Sequence, residues 1–404
     1  MQNIKSIIFC LTLHVALTFF IISAIVSYDY TGGENSNTYR LYTLILGCLS
    51  MAFVLYNYFV VKKLQLSHAQ WLVLSIPVVA SFLYFISGVS DPISKKIFIS
   101  FYAFSMPGLL IGSYCSKKSC FESLIKWWDF LVILFDIGIL ILFVANFRHV
   151  SFSGLAYQST AYLSAYAYSF HLYYLLFGSN NKRIYFFYSR FYKILSYFFL
   201  FLQIVVVLSS GGRGGTILLL VSSIILFYQK QKNSNVKSRL KSIFYLVITL
   251  LFIVFIFKFA LNSQLADTFT RGINRAFSYI GSNDQLDFSK TSGRDIIYVE
   301  AWQLIIKKPL IGYGFWKYLD TFSYYPHNII LEILLQGGFI YLFVFILFSC
   351  YLFRKLRHII NNDKANLIII PIGLYPCVML MFSGSYLVTP LFWFMIGLIL
   401  CYKK

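Results

Sequence analysis

Three short stretches of the chain hold side chains whose types and spacing could do chemistry. The first is Ser209-Ser210-Gly211-Gly212-Arg213-Gly214-Gly215-Thr216. Its four glycines permit left-handed backbone angles, so consecutive N–H groups could turn toward an anion. Arg213 would add a permanently charged fork of donors suited to phosphate. The same residues also suit a tight turn between two helices, with Arg213 reaching to a membrane interface. The second is a set of arginines. Arg271 and Arg275 stand four apart, on one face of a helix, where an anionic ligand or lipid headgroups could meet them. Arg294 falls in the first turn of the next helix, where unpaired N–H groups also favour an anion. The third is Tyr324-Tyr325-Pro326-His327-Asn328, followed by Leu331, Glu332, Gly337 and Gly338. A histidine titrates near neutrality and can accept a proton, although one placed before an apolar helix can also be a plain interfacial residue.

Other polar residues carry less. Asp129 and Asp136 lie seven apart in an apolar run and suggest a proton or cation relay, but no basic residue is obviously spaced to pair with them. His14, His68, His149, His171 and His358 read as structural. The cysteines lie in or beside apolar runs without zinc-ligand spacing, so neither a metal site nor a disulfide is expected.

The composition dictates which elements must position these groups. Of 404 residues, 59% are hydrophobic and 12% charged, with a mean hydropathy of +0.73. Soluble domains have roughly 45–50% and about 25%. Such a chain cannot cover its apolar surface in water, which excludes a soluble enzyme, a disordered chain and a small disulfide scaffold. An all-α polytopic membrane protein is expected. Apolar runs long enough to span a bilayer fall near 6–27, 39–61, 71–88, 97–114, 128–147, 159–177, 194–210, 214–229, 242–260, 328–352, 365–382 and 387–402. That predicts about twelve transmembrane helices, the seventh and eighth parted only by the glycine-rich turn. The 34 basic and 14 acidic residues give a net charge of +20. Most of the basic residues fall in alternate short loops, as the positive-inside rule requires, so both termini are predicted cytoplasmic. No nucleic-acid partner is implied.

This divides the chain into helices one to nine (1–260), an extracytoplasmic loop (261–326) and helices ten to twelve (327–404). The loop is far longer than an ordinary helix connection. Leu265, Phe269, Ile273, Phe277 and Ile280 form an apolar stripe of helical period. A second loop helix is expected from a Ser292 cap with Asp295 three residues on. It carries Ile297, Ala301, Trp302 and Ile305 and stops at Pro309. Beyond it, Gly312 and Gly314 suit either a turn or a close approach of backbone to a glycan or a helix.

In order and separation these pieces resemble the bacterial O-antigen ligase and polymerase superfamily. The resemblance covers roughly Leu208 to Phe345. It rests on the Arg213 turn, Ser292-Gly293-Arg294 through Trp302, Pro309 to Phe315, Pro326-His327-Asn328, Leu331-Glu332 and Gly337-Gly338. The chain departs from the family pattern at Gly211-Gly212, where a serine often directly precedes the arginine. The resemblance implies inverting glycosyl transfer from an undecaprenyl-diphosphate-linked glycan, without metal or cofactor, at the outer face of the bacterial inner membrane. Carried over by position, His327 would take the acceptor's proton, and Arg213 and Arg294 would hold the diphosphate. Arg271 matches the spacing of a third arginine better than Arg275 does. Asn328 and Glu332 would support the site.

The expected partners are the lipid-linked donor, a glycan acceptor, membrane lipids and a chain-length regulator. The leading expectation is polymerisation of O-antigen or capsule repeat units. It leans on the aromatic-rich, basic chain and on Ser153 to Ser159, which look more like polymerases. A ligase delivering the glycan to a lipid A core would use the same residues. A lipid-glycan transporter without chemistry is the rival from another class.

Overall fold

In a computed structural model, residues 2–26, 37–145, 157–178, 185–232, 294–322 and 324–402 are described. Among them the secondary structure is entirely helical. The helices are α1 (Gln2–Leu13), α2 (Val15–Val26), α3 (Asn37–Tyr56), α4 (His68–Ile86), α5 (Pro92–Ser100), α6 (Met106–Tyr114), α7 (Lys118–Ala145), α8 (Tyr157–Phe177), α9 (Arg190–Ser210), α10 (Arg213–Lys232), α11 (Arg294–Lys307), α12 (Tyr318–Phe322), α13 (Ile329–Asn362), α14 (Ile369–Phe382) and α15 (Pro390–Cys401). Six of the described stretches are long and apolar enough to cross a membrane: 37–61, 68–86, 92–114, 190–210, 329–362 and 365–382. The expected count of about twelve is therefore met in part. The predicted span 242–260 and the stripe from Leu265 to Ile280 lie outside the described residues.

Hydropathy located helices better than it measured them. The first span is broken at His14 into α1 and α2, and α13 runs on to Asn362, ten residues beyond its predicted end. Residues 354–357 are hydrophilic enough to leave a membrane, yet they carry no helix breaker, so the backbone continues as helix.

Helix ends follow local chemistry. Ser67 and Gln70 form a capping box at α4, Asp91 caps α5 ahead of Pro92, and Ser189 caps α9. Contacts divide the chain into two compact units. The first comprises residues 1–16, 34–128 and 288–404; the second comprises 17–33 and 129–287, the boundary falling within α7.

In the first unit, α6 and α15 run side by side at backbone distance. A Cβ on Gly108, Gly112 or Gly397 would overlap the carbonyl oxygens of Pro390, Phe394 and Leu109 respectively. Small residues permit this approach, which is how membrane helices gain packing energy without a hydrophobic drive. In the second unit, Gly215 of α10 is as close to α8, where a Cβ would lie 2.5 Å from the Ala161 carbonyl carbon.

The long helix α13 is not continuous. Gly337 and Gly338 leave helical angles, Gly338 at φ 61° and ψ −157°, a region open essentially to glycine. The break frees backbone groups, and the segment after α11 meets them. Tyr313 and Gly314 N–H donate to the carbonyls of Leu335 and Gln336, both at 2.8 Å, while Phe339 and Ile340 N–H donate to Pro309 at 2.7 Å and Leu310 at 3.2 Å. Four hydrogen bonds thus join Pro309–Gly314 to the break, satisfying polar groups that lipid could not. Gly312, at φ 58°, has no room for a side chain, since its Cβ would lie 2.6 Å from the Leu335 oxygen. Of the two uses expected for Gly312, this is the close approach to a helix.

Candidate active site

The paired backbones of Pro309–Gly314 and the α13 break fix the position of the residues after Gly314. Trp316 is fully buried and its indole N–H donates to Ala80 of α4 at 3.1 Å. Asp320 accepts from Ser94 at 3.0 Å and from the Ser90 amide at 3.3 Å. Together they hold α12 against the α4–α5 corner, and the chain then reaches His327 through Tyr324, whose hydroxyl donates to Glu300 of α11 at 2.6 Å. The loop bearing His327 is therefore tied to the helix that opens with Arg294. That helix matches the one expected after Ser292, and it buries Ala301 and Ile305 while leaving Trp302 half-exposed.

His327 is held in an unusual state. Its φ is 54°, in the left-handed region that residues other than glycine rarely adopt, and Pro326 before it is buried. The Tyr325 ring meets the imidazole edge to face, 4.7 Å between centroids. The buried Nδ1 has no hydrogen-bond partner among the described residues. Burial, and secondarily the Arg294 charge, push the imidazole pKa below 6.5. Both effects favour the neutral, proton-accepting form of the imidazole, with the Arg294 charge close enough to be felt there.

Asn328 and Glu332 anchor this corner. The Asn328 side chain caps α13, accepting from the amides of Ile330 at 2.9 Å and Leu331 at 3.2 Å, and its Nδ2 donates to Met381 at 3.2 Å. Glu332, one turn into α13, is fully buried. Its Oε1 accepts from Tyr318 at 2.9 Å and from Ser385. One turn further, Tyr386 donates to Gln336. This network joins α12, α13 and the segment before α15. The sequence signalled Glu332 but not Tyr318, Ser385 or Tyr386, which come together only through the fold.

Arg213 lies in the second unit, as the first residue of α10, and is partly exposed. Its turn is tighter than a cradle of four left-handed glycines. Gly211 alone in that run has positive φ, 71°, ending α9, whereas Gly214 and Gly215 serve to pack α10 on α8. Arg271 and Arg275 lie outside the described residues. The structure thus assembles Arg294, His327, Asn328 and Glu332 in one unit and puts Arg213 at a helix start in the other.

Every one of these positions falls in a single stretch. Residues 198–346 match the model of a family described as O-antigen ligase. The likeness to that family is confined to this stretch. The match spans just over a third of the sequence and supports the O-antigen ligase and polymerase superfamily read from the motifs. Together with the apolar helices, the match indicates a membrane protein. No curated protein and no solved structure matches the chain.

The second unit also has a buried polar centre. Asp136 accepts from His171 Nε2 and from Gln203 Nε2, both at 2.6 Å, and all three side chains are at most 1% exposed. Asp129 accepts from the Phe186 amide at 2.9 Å and the Tyr192 hydroxyl at 3.1 Å. The basic partner of Asp136, not apparent in the sequence, is His171 of α8, 35 positions away.

Proposed function

We propose that the protein is a membrane glycosyltransferase that polymerises lipid-diphosphate-linked repeat units of a bacterial surface polysaccharide. The growing glycan on undecaprenyl diphosphate is the donor, and a hydroxyl of the next lipid-linked unit is the acceptor. One observation carries the reading: His327, its pKa lowered by burial and by the Arg294 charge and its Nδ1 without a partner among the described residues, stands at the start of α13 within the matched stretch.

In this reaction the acceptor oxygen attacks the donor's anomeric carbon from the side opposite the diphosphate. The new C–O bond forms as the bond to the phosphate oxygen breaks, inverting the carbon. His327 takes the hydroxyl proton, and undecaprenyl diphosphate leaves with the bonding electrons. Because the leaving group is already stable, the protein must activate a hydroxyl and stabilise a departing polyanion. Arg294 and Arg213 suit the second task because a guanidinium can contact phosphate in bidentate fashion, joined by Arg271 or by Arg275 four positions on in the sequence. Their fixed charge lets the step proceed without a metal. Asn328 and Glu332 position the base by fixing the start of α13. The site faces the periplasm from the inner membrane, with both termini cytoplasmic. A chain-length regulator would act on the same product.

The matching family's description as an O-antigen ligase favours a second reading, ligation of the finished glycan to a lipid A core. Base and arginines serve both. A deletion strain separates the readings through the pattern of its surface polysaccharide. Polymerase loss leaves at most one repeat unit on the core, whereas ligase loss leaves none. Purified protein that joins lipid-linked glycans without ATP or metal supports transfer over transport; failure to join them under any donor and acceptor pairing would overturn the proposal.

A further inference from the structure

The first unit contains a cavity of about 680 Å³ that the glycosyl-transfer reading does not use. It lies at the opposite end of α13 from His327. Lys118, one of its lining residues, bonds Asp363 at 2.8 Å, and Asp363 directly follows the last residue of α13. Four lysines line it, Lys62 and Lys63 from the turn after α3 and Lys117 and Lys118 from the turn after α6, and no carboxylate does. The positive-inside rule accounts for lysines in these two loops, but not for their convergence on one concave space.

The cavity also has a built floor. Cys401, a lining residue, accepts from Ser113 at 3.0 Å, and Ser113 is hydrogen-bonded to Tyr58 at 2.6 Å, so residues 57–61 after α3 are tied there to α6 and α15. The Lys62 ammonium lies 4.9 Å from the Tyr58 ring centre. Lys63 and Leu64 come next at φ 45° and 61°. Among the described residues, the other non-glycine residue with positive φ is His327. Such strain persists where surrounding structure holds it, often at ligand clamps.

One wall identifies the ligand class. Val61 lines the cavity, and Phe59, Val60 and Val61 are each more than half exposed on the same apolar stretch that can cross a membrane. A cationic recess at the end of a lipid-facing helix offers ammonium groups to a phosphate and an apolar wall to the chain attached to it. We infer that this cavity binds the phosphate headgroup of an anionic phospholipid whose acyl chains lie along α3. The inference is independent of the glycosyl-transfer reading, because none of these residues belongs to that site.

The test is native mass spectrometry of the full-length protein released from detergent, with phosphatidylglycerol, phosphatidylcholine or inorganic phosphate added. The double variant Lys63→Gln/Lys117→Gln removes two exposed charges at the cavity. Arg354→Gln/Arg357→Gln removes two exposed charges from α13 and serves as the control for net charge. Wild type and the control should retain phosphatidylglycerol over phosphatidylcholine. The cavity variant should lose roughly tenfold or more in apparent affinity, on the scale of two lysines near an anionic surface. Equal losses in both double variants would reduce the effect to bulk charge and overturn the site. So would Lys63- and Lys117-dependent retention of phosphate without preference for the anionic lipid, which would point to a soluble anion.

Discussion

Gly338→Ala is the substitution whose cost the structure defines best. At φ 61° and ψ −157°, an alanine incurs a conformational penalty on the order of 1–3 kcal/mol. Its Cβ would also overlap the Pro309 oxygen and the Leu310 carbonyl. Those atoms are backbone and cannot swing aside as a side chain could. Relief requires lengthening the bonds from Phe339 and Ile340 to the same two carbonyls. Each bond lost away from water adds about 1–3 kcal/mol. The sum is about 3–9 kcal/mol, enough to unseat the Pro309–Gly314 segment and, through Trp316 and Tyr318, the His327 loop. Gly88→Ala is the matched control. It has a similar φ of 58° but open space around the added Cβ, so it should cost about 1 kcal/mol. The assay is thermal unfolding in detergent at equal protein level, with glycan transfer measured alongside. Gly338→Ala should unfold well below Gly88→Ala and lose most activity. Equal behaviour of the two variants would refute the argument that backbone pairing across the α13 break holds the site.

The same geometry sets further outcomes. Since burial and Arg294 both depress the His327 pKa, the acid limb of kcat/KM should lie below pH 6.5, the rate falling as protonation removes the base. Arg294→Gln should move that limb upward while leaving it below 6.5, because burial remains; an unmoved limb would separate Arg294 from His327. Arg294→Lys keeps charge but not the planar fork, and losing a contact made in the transition state should cost on the order of 2–4 kcal/mol, or roughly 30- to 1000-fold in turnover. Normal turnover in this variant at normal protein level would leave Arg294 a helix-end residue. His171→Ala should destabilise the second unit by about 1–3 kcal/mol, the penalty for leaving a buried hydrogen-bonding group without its partner, as read by thermal unfolding. A change within about 0.5 kcal/mol, the scale of an ordinary surface substitution, would show that Asp136 does not depend on it.

The sequence exposed features that depend on local pattern. Apolar runs found α3, α4 and α9, the glycine turn separated α9 from α10, and the helix expected between Ser292 and Pro309 is α11. Two kinds of feature escaped it. Hydropathy measures how much of a helix suits lipid, so the hydrophilic end of α13 looked like loop. Contacts across distance leave no spacing to read. Thus the runs Pro309–Phe315 and Gly337–Gly338 looked like separate motifs although their backbones pair, and Asp136 looked unpartnered although His171 meets it from another helix. His327 was legible because its proline, its position before an apolar helix and the arginines upstream coincide. Its left-handed backbone, and an Nδ1 without a partner among the described residues, were not, since both depend on the loop that α11 and the helix break hold in place.

Whether His327 accepts the proton from the acceptor hydroxyl decides the catalytic reading, and His327→Gln tests it most directly. Glutamine can keep a hydrogen bond at that position but cannot take up the proton. Purified variant in lipid should bind the lipid-diphosphate donor nearly as well as wild type, yet turn over roughly 100-fold more slowly or worse, the scale of a lost general base. Near-normal turnover, or a loss of donor binding in proportion to the loss of rate, would contradict the base role and make His327 a positioning or binding residue.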